Sequence, residues 1–408
     1  MNDTELYQQI LGLESTWKVE KVELNIERQR VDVWVSYPKG TQFSCTECGQ
    51  IHSVYDHAPE RTWRHLNTCQ FETHLHARIP RVKCAKHGVK QINVSWAHKQ
   101  SGFTLLMERF IIDLLCQCQH VLGVCRLLNL GWYRVFSVMK RAVNRGILKR
   151  EILNHEHIGV DEKAFKKGHN YITVVCDKTT GGVVHVAEKR TEASLNEFYQ
   201  TRDKQKKESI KSISMDMWPA YINSTKKHIP DSEQKIVFDR FHVMKDVNEA
   251  VNKTRRQEHK ALVKREDTRL SKTRFIWMYS EDNLPEKHQS TLEALRNSDL
   301  LTAQAWAMKE NLRHLWHVED KESAAHDLDV WINWVKESGI TAMIKVAEKI
   351  ERHKDNILTH CNLFVTNGLA EGINSKIMAV KRRVGGFRNI ENFKTAIYFY
   401  CGKLDLYP

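Results

Sequence analysis

The sequence predicts a multidomain α/β chain. It opens with a β-rich domain and a pair of helices, and ends in an α/β core interrupted by an all-helical stretch. Three observations predict this. Residues 1–98 alternate apolar with polar side chains at the period of strands. Residues 155–245 carry β-branched runs separated by turns and then alternate strand with helix, which argues α/β. Residues 246–355 are long, charged and helical in pattern, with no convincing strand.

The 408 residues suffice for two to four domains. A formal net charge of +13 points to a polyanionic partner, of which nucleic acid is the commonest. No stretch approaches the roughly 20 apolar residues that a membrane helix needs. The start, Met1-Asn2-Asp3-Thr4-Glu5, has no signal-peptide pattern, so a cytoplasmic protein is expected. Its ten cysteines are then read as thiols or metal ligands rather than disulfides.

In residues 1–98, strands are expected over 17–26 and 31–37. Cys45-x-x-Cys48 and Cys84-x-x-His87 are each closed by a glycine, Gly49 and Gly88, which permits a tight turn. Together they predict a closed tetrahedral Cys₃His zinc site. Cys69 reads as a core thiol.

Residues 99–150 turn helical, with Phe103, Leu106, Phe110 and Leu114 as the apolar stripe. A helix, a break at Asn129 to Gly131 and a second helix follow, with Arg134, Lys140, Arg141 and Arg145 expected at the surface. A helix-turn-helix that lays its second helix in a DNA groove fits this pattern, and so does an ordinary helical hairpin. Cys116, Cys118 and Cys125 read as core positions.

In residues 151–245 the strand His157 to Glu162 carries Asp161, an acid that needs a cationic partner in mid-sheet. Strands over 171–177 and 183–187 follow, joined by a Gly-Gly turn. A helix over 192–199, a charged surface run over 202–211, a strand ending at Asp216 and, over 235–243, a strand running into a helix complete this part. In the insertion, Leu301, Ala305, Met308, Leu312 and Leu315 form one stripe, and Leu328, Trp331 and Val335 another. The tryptophans at 277, 306, 316, 331 and 334 read as core. Residues 356–408 return to the α/β core with a helix over 366–383, halted by Gly385-Gly386. Leu369, Ile373, Ile377 and Val380 form its buried face, and Asn367, Glu371 and Asn374 its polar face.

Three acids thus lie on elements able to converge: Asp161, Asp216 and Glu371. Hard oxygen ligands select Mg²⁺ or Mn²⁺, and a pair of such ions serves in-line phosphoryl displacement.

The chain resembles the DDE transposases of the bacterial insertion-sequence family called ISL-three. The resemblance is carried by Val160-Asp161-Glu162, Met215-Asp216-Met217 with Tyr221, Phe238 to Val243, and Asn367 to Asn374 with Lys376. It implies a ribonuclease-H-like catalytic core with the helical insertion before the last acid. Asp161, Asp216 and Glu371 would be the catalytic metal-binding acids, and Asp239, His242, Asn367 and Asn374 would support them. The second zinc pair, Cys84 and His87, departs from the two cysteines more usual in the family. The implied activity is binding of terminal inverted repeats, DNA cutting, and joining of the 3′-hydroxyl end to target DNA, with double-stranded DNA and a second copy of the chain as partners. A position on the nucleoid follows from that activity. Lys163, Lys166, Lys167, Lys381, Arg382, Arg383 and Arg388 join Arg134, Lys140 and Arg141 as expected phosphate contacts. Two other classes are open: a DNA-binding regulator without catalysis, and a junction-cutting nuclease that does not join strands.

Overall fold

A computed structural model gives the fold. It describes every residue except 1, 151–153, 167, 169, 360 and 362–367, and the side chains of 368–371 also lie outside the described residues. The chain divides into two compact units, one of Met1–Glu151 with Leu404–Pro408, the other of Ile152–Lys403. No described helix is long and apolar enough to cross a membrane.

The first unit begins with a helix that strand patterning does not reveal, α1 (Asp3–Ile10), capped by Asn2 in a reciprocal capping box with Glu5. One four-stranded sheet has the order β1-β2-β6-β5, with β1 Lys18–Asn25, β2 Arg30–Ser36, β5 Arg61–Arg64 and β6 Glu72–Ala77. The other has the order β3-β4-β7-β8, with β3 Gln42–Ser44, β4 Ile51–His57, β7 Pro80–Cys84 and β8 Gly88–Gln91. Val31, Val33 and Val35 of β2 join Trp17, Trp63, Leu75 and Trp96 in one core. Cys69 is exposed in a turn at φ +55°, rather than in the core, because the chain reverses there between Thr68 and Phe71.

Three helices follow: α2 (Leu105–Cys118), α3 (Val121–Leu128) and α4 (Trp132–Lys149). Asn129 ends α3 in the left-handed conformation, as the break in the pattern predicts. The expected stripe on α2 is out of phase. Leu106 and Phe110 are exposed, and Met107, Ile111, Ile112 and Leu115 are buried. The cause is a polar network inside the bundle. Glu108 is fully buried and accepts from Ser101 Oγ at 2.6 Å and Arg141 Nε at 3.0 Å. Cys116, Cys118 and Cys125 are only half-buried.

Residues 404–408 run along α4. Arg145 Nη2 donates to Leu406 O at 2.6 Å, Lys149 Nζ to Asp405 Oδ2 at 2.9 Å, and Tyr407 Oη to Asp113 Oδ1 at 2.6 Å. Gly146 permits this approach, since a Cβ there would stand 2.7 Å from the Cβ of Leu404.

The second unit is built on a five-stranded sheet of order β11-β10-β9-β12-β13. Its strands are β9 His157–Lys166, β10 Asn170–Asp177, β11 Gly182–Glu188, β12 Ser212–Met215 and β13 Ile236–Phe238. β9, β10 and β11 form an antiparallel meander, and β12 and β13 run parallel to β9. Alternation along β9 sends Ile158 and Val160 to one face. There they pack with Leu195 and Phe198 of α5 (Glu192–Gln200) and Tyr221 of α7 (Pro219–His228). Between these helices lies α6 (Lys204–Glu208), in the charged run; α8 (Ser232–Lys235) precedes β13.

Phe165 of β9 takes the other face. With Ile172, Val174 and Val183 it packs against Ile373 and Ile377 of α16 (Gly368–Arg383) and Phe393 and Ile397 of α17 (Ile390–Cys401). Between β13 and α16 come α9 (Arg240–Val263), α10 (Arg274–Met278), α11 (Glu286–Arg296), α12 (Leu301–His314), α13 (Lys321–Glu337), α14 (Thr341–Arg352) and α15 (Lys354–Leu358). Among the described residues of 246–355 there is no strand, as expected. Leu301 departs from its stripe and is exposed. Its backbone N–H and that of Thr302 are held by the Glu258 carboxylate at 2.7 and 2.8 Å, which fixes the helix start and turns this side chain outward. Trp277, Trp306 and Trp331 are core, whereas Trp334 is exposed.

Candidate active site and metal centre

Parallel pairing decides where the strand-borne acids stand. Ser212, Ile213 and Ser214 of β12 pair with His157, Ile158 and Gly159 of β9, and Met215 pairs with Phe238 of β13. Carried on at the same offset, the register sets Asp216 level with Asp161 on one side and with Asp239 on the other. Neighbouring strands lie about 4.8 Å apart. Three carboxylates therefore line one end of the sheet on three adjacent strands, two residues or fewer from the end of each parallel pairing. The separation of Asp161 and Asp216 in the chain conceals a local arrangement.

Asp161 finds the cation that its place in a strand demands. Lys163 Nζ lies 2.7 Å from its Oδ2, and the Glu162 backbone N–H donates to Oδ1 at 2.7 Å. A third donor arrives from far along the chain: Asn374 Nδ2 reaches Asp161 Oδ2 at 2.6 Å. Asn374 lies on α16, so this bond joins the helix that carries Glu371 to the first acid. Glu371 stands three residues before Asn374 in that helix; its side chain lies outside the described residues, as does Asn367 altogether.

Asp216 accepts from the Met217 N–H at 2.6 Å and faces His242 Nδ1 at 3.5 Å. Asp239 caps α9, accepting from the Phe241 N–H at 2.8 Å. Burial pushes its carboxyl above the usual range, against the pull of that N–H and of the charges on His242 and Lys178. Glu162, on the opposite face of β9 from Asp161, is also pushed up, first by burial and then by the charges of Asp161 and Asp216. The site thus holds excess negative charge that cations would relieve. The donors are carboxylate oxygens, the chemistry that suits Mg²⁺ or Mn²⁺.

The cysteine and histidine pairs form a different kind of site. Cys45 and Cys48 occupy the turn between β3 and β4; Cys84 ends β7, and His87 lies in the turn that leads to β8. Gly49 and Gly88 close these turns at φ +74° and +70°. The four ligand atoms lie within 4.8 Å of one another, the one such gathering among the described residues. Cys48 Sγ is 3.7 Å from Cys84 Sγ, and His87 Nδ1 is 3.5 Å from Cys84 Sγ and 3.9 Å from Cys45 Sγ. A tetrahedron with metal bonds of about 2.3 Å to sulfur and 2.0–2.1 Å to nitrogen has edges of roughly 3.5–3.8 Å, so zinc fits. Backbone N–H groups of Lys86 and His87 pull the Cys84 thiol down to about 5, towards the thiolate that a metal binds.

Family models match two stretches of the chain. A family model described as "Transposase", of the DDE class and ISL3 type, matches residues 158–397. The chain belongs to this transposase family. A second model, the zinc-finger of the transposases of IS204, IS1001, IS1096 and IS1165, matches residues 41–87 and spans the Cys/His quartet. The transposase for insertion sequence element IS1557 of Mycobacterium tuberculosis is 27% identical, over 95% of this chain and 93% of its own length. The transposase for IS1001 of Bordetella parapertussis is 26% identical, over 96% and 97%. The chain is accordingly a DNA-cutting and strand-transferring enzyme, with a zinc ribbon near its start.

The expected phosphate contacts of this transposase are variously placed. Arg134 and Lys140 are exposed on α4, with the Arg134 guanidinium 4.7 Å from the Phe103 ring. Arg141 and Arg145, expected at the surface, are half-buried, because Arg141 pairs with the buried Glu108 and Arg145 holds Leu406 O. Arg382, Arg383 and Arg388 are exposed, and Lys381 Nζ donates to Ala164 O at 2.6 Å. Lys166 Nζ donates to Arg388 O at 2.9 Å; Lys167 lies outside the described residues.

Sequence reasoning passed over Glu162 as a site residue, and did not single out Arg190 at all. The signal for Glu162 was available: two consecutive acids on one strand put a carboxylate on each face of the sheet. A lone arginine after a strand gives none.

Proposed function

We propose that the transposase binds the terminal inverted repeats of its own insertion sequence as a homodimer, cuts DNA there and joins the freed 3′-hydroxyl to target DNA by two-metal-ion phosphoryl transfer. In this reading Asp161, Asp216 and Glu371 hold two Mg²⁺ or Mn²⁺ ions within a ribonuclease-H-like core. The observation that carries it is the level alignment of Asp161, Asp216 and Asp239 at one end of the sheet. The strand order β11-β10-β9-β12-β13, antiparallel then parallel, supports the fold reading. Bound there, the ions would activate the attacking oxygen and offset charge on the leaving one.

The chain's own groups do the positioning. Asn374 fixes Asp161 Oδ2 and ties α16 to β9. His242 faces Asp216 and steadies its charge. Asp239 holds the start of α9 beside the cluster. α3, the turn at Asn129 to Gly131 and α4 serve as a helix-turn-helix, with Arg134 and Lys140 toward phosphate. The zinc ribbon contributes to end recognition. The enzyme acts in the cytoplasm, on nucleoid DNA.

The test is a cleavage and joining assay with Mg²⁺ on a duplex that carries one end of the element. Nicking at the end followed by joining is expected. Binding without nicking at any Mg²⁺ or Mn²⁺ concentration would leave a regulator. Cutting of branched DNA without joining would leave a resolvase.

A further inference from the structure

The end of the sheet that bears Asp161 also holds an arginine the mechanism does not use. Arg190 follows β11, and its guanidinium carbon lies 4.4 Å from the Tyr171 ring centroid and 4.5 Å from that of Trp218. Trp218 Nε1 donates to Arg190 O at 3.1 Å, so one of these rings is itself tied to the arginine backbone. Stacking of this kind holds a guanidinium in a fixed orientation and leaves its edge donors to bond in plane. Only one donor has a partner among the described residues: Arg190 Nη1 stands 3.4 Å from Glu162 Oε1, at the long limit of a hydrogen bond. The other oxygen, Glu162 Oε2, is buried with no hydrogen-bond partner. A half-buried carboxylate and a preset guanidinium normally meet in a short two-pronged pair. Here they do not, and the fork is left largely unspent.

Arg190 opens on a cavity of about 800 Å³. Asn170, Lys189, Arg388, Glu188 and Glu391 also line it. Three cations thus face two acids, and Glu391 is already neutralised by Lys394 Nζ at 2.9 Å. DNA approaching this end of the sheet meets the negative charges of Asp161, Glu162, Asp216 and Asp239, which repel it. A fixed cation beside them offsets that repulsion where the strand must lie.

We propose that Arg190, preset by Tyr171 and Trp218, binds a DNA backbone phosphate in this cavity, and that Glu162 is its placeholder when DNA is absent. The proposal rests on the reading of the acid cluster as the cutting site, but its test does not need the metals. Binding of the full-length protein to a duplex carrying its element's end is measured by fluorescence anisotropy against salt concentration, with no divalent ion added. R190A should weaken binding about tenfold, the weight of one charge-assisted contact. It should also lower the slope of log affinity against log salt by about 0.9, one phosphate's worth of counterions. R190K should keep the slope while binding less tightly than wild type, because a lysine cannot stack or fork in the same way. E162Q should tighten binding, since the competing charge is gone. An unchanged slope in R190A, or an R190A defect fully restored by E162Q in the double variant, would overturn the proposal and leave Arg190 a counter-ion of Glu162. Wild-type cleavage with Mg²⁺, run alongside, reports separately on the acid cluster.

Discussion

Asp161 is bonded by three donors from three directions, and each does a different task. The Glu162 N–H sets its rotamer, Lys163 balances its charge, and Asn374 brings in α16. Replacing Asp161 or Asp216 by asparagine keeps shape and loses charge. D161N and D216N should each abolish cleavage while leaving end binding within a few-fold, measured by nicking and mobility shift on one duplex. Cutting retained by either variant would remove that residue from the metal site. Glu162 makes a prediction about pH. Its folded pKa is raised, so protonation favours the folded state. The stability it contributes is complete below the ordinary glutamate value of about 4.3 and lost as pH rises through the raised one. E162Q should therefore stabilise the metal-free protein at neutral pH, and the gain over wild type should vanish in acid. Thermal melts in chelator across that range test the sign; a gain independent of pH would mean that burial of the charge is not the cause.

Among the elements, α16 is fastened to β9 at two points one stretch apart. Asn374 reaches Asp161 and Lys381 reaches Ala164 O, while Ile373 and Ile377 of the same helix lie buried. N374A should lower Mn²⁺ affinity and cleavage together, whereas K381A should affect metal binding little; titration calorimetry with Mn²⁺ separates the two. Equal losses in both would make the bond to Asp161 no more than general helix docking. The zinc ribbon gives a parallel test. C45S or H87A should release zinc and weaken end recognition, as metal analysis and binding would report. Much at this scale was legible from sequence. β-branched runs marked β9 to β11, and the glycines after each ligand pair marked the zinc turns. What escaped was set by polar groups in unexpected places. The buried Glu108 and its partner Arg141 rotate the apolar stripe of α2, and Glu258 reaches across to fix the start of α12. Hydrophobic period alone cannot register a buried ion pair or a distant cap. Nor does spacing along the chain reveal that Asp161, Asp216 and Asp239 are neighbours; parallel pairing does.

For the whole molecule, the two units carry separate cores, and the Cys/His quartet lies in the first. Calorimetry of the intact chain should show two transitions, with zinc removal lowering the one that belongs to Met1–Glu151 and leaving the other in place. A single transition shifted as a whole would mean that the units unfold together. The last five residues bear on how the chain is made. Tyr407 and Leu406 lie against helices built from residues 105–149, through Asp113, Arg145 and Lys149. That part of the protein therefore stays unfinished throughout translation of the long intervening segment. Its docked form comes into being only after residues 404–408 have left the ribosome, and a message cut short at Lys403 would leave Asp113, Arg145 and Lys149 without these bonds.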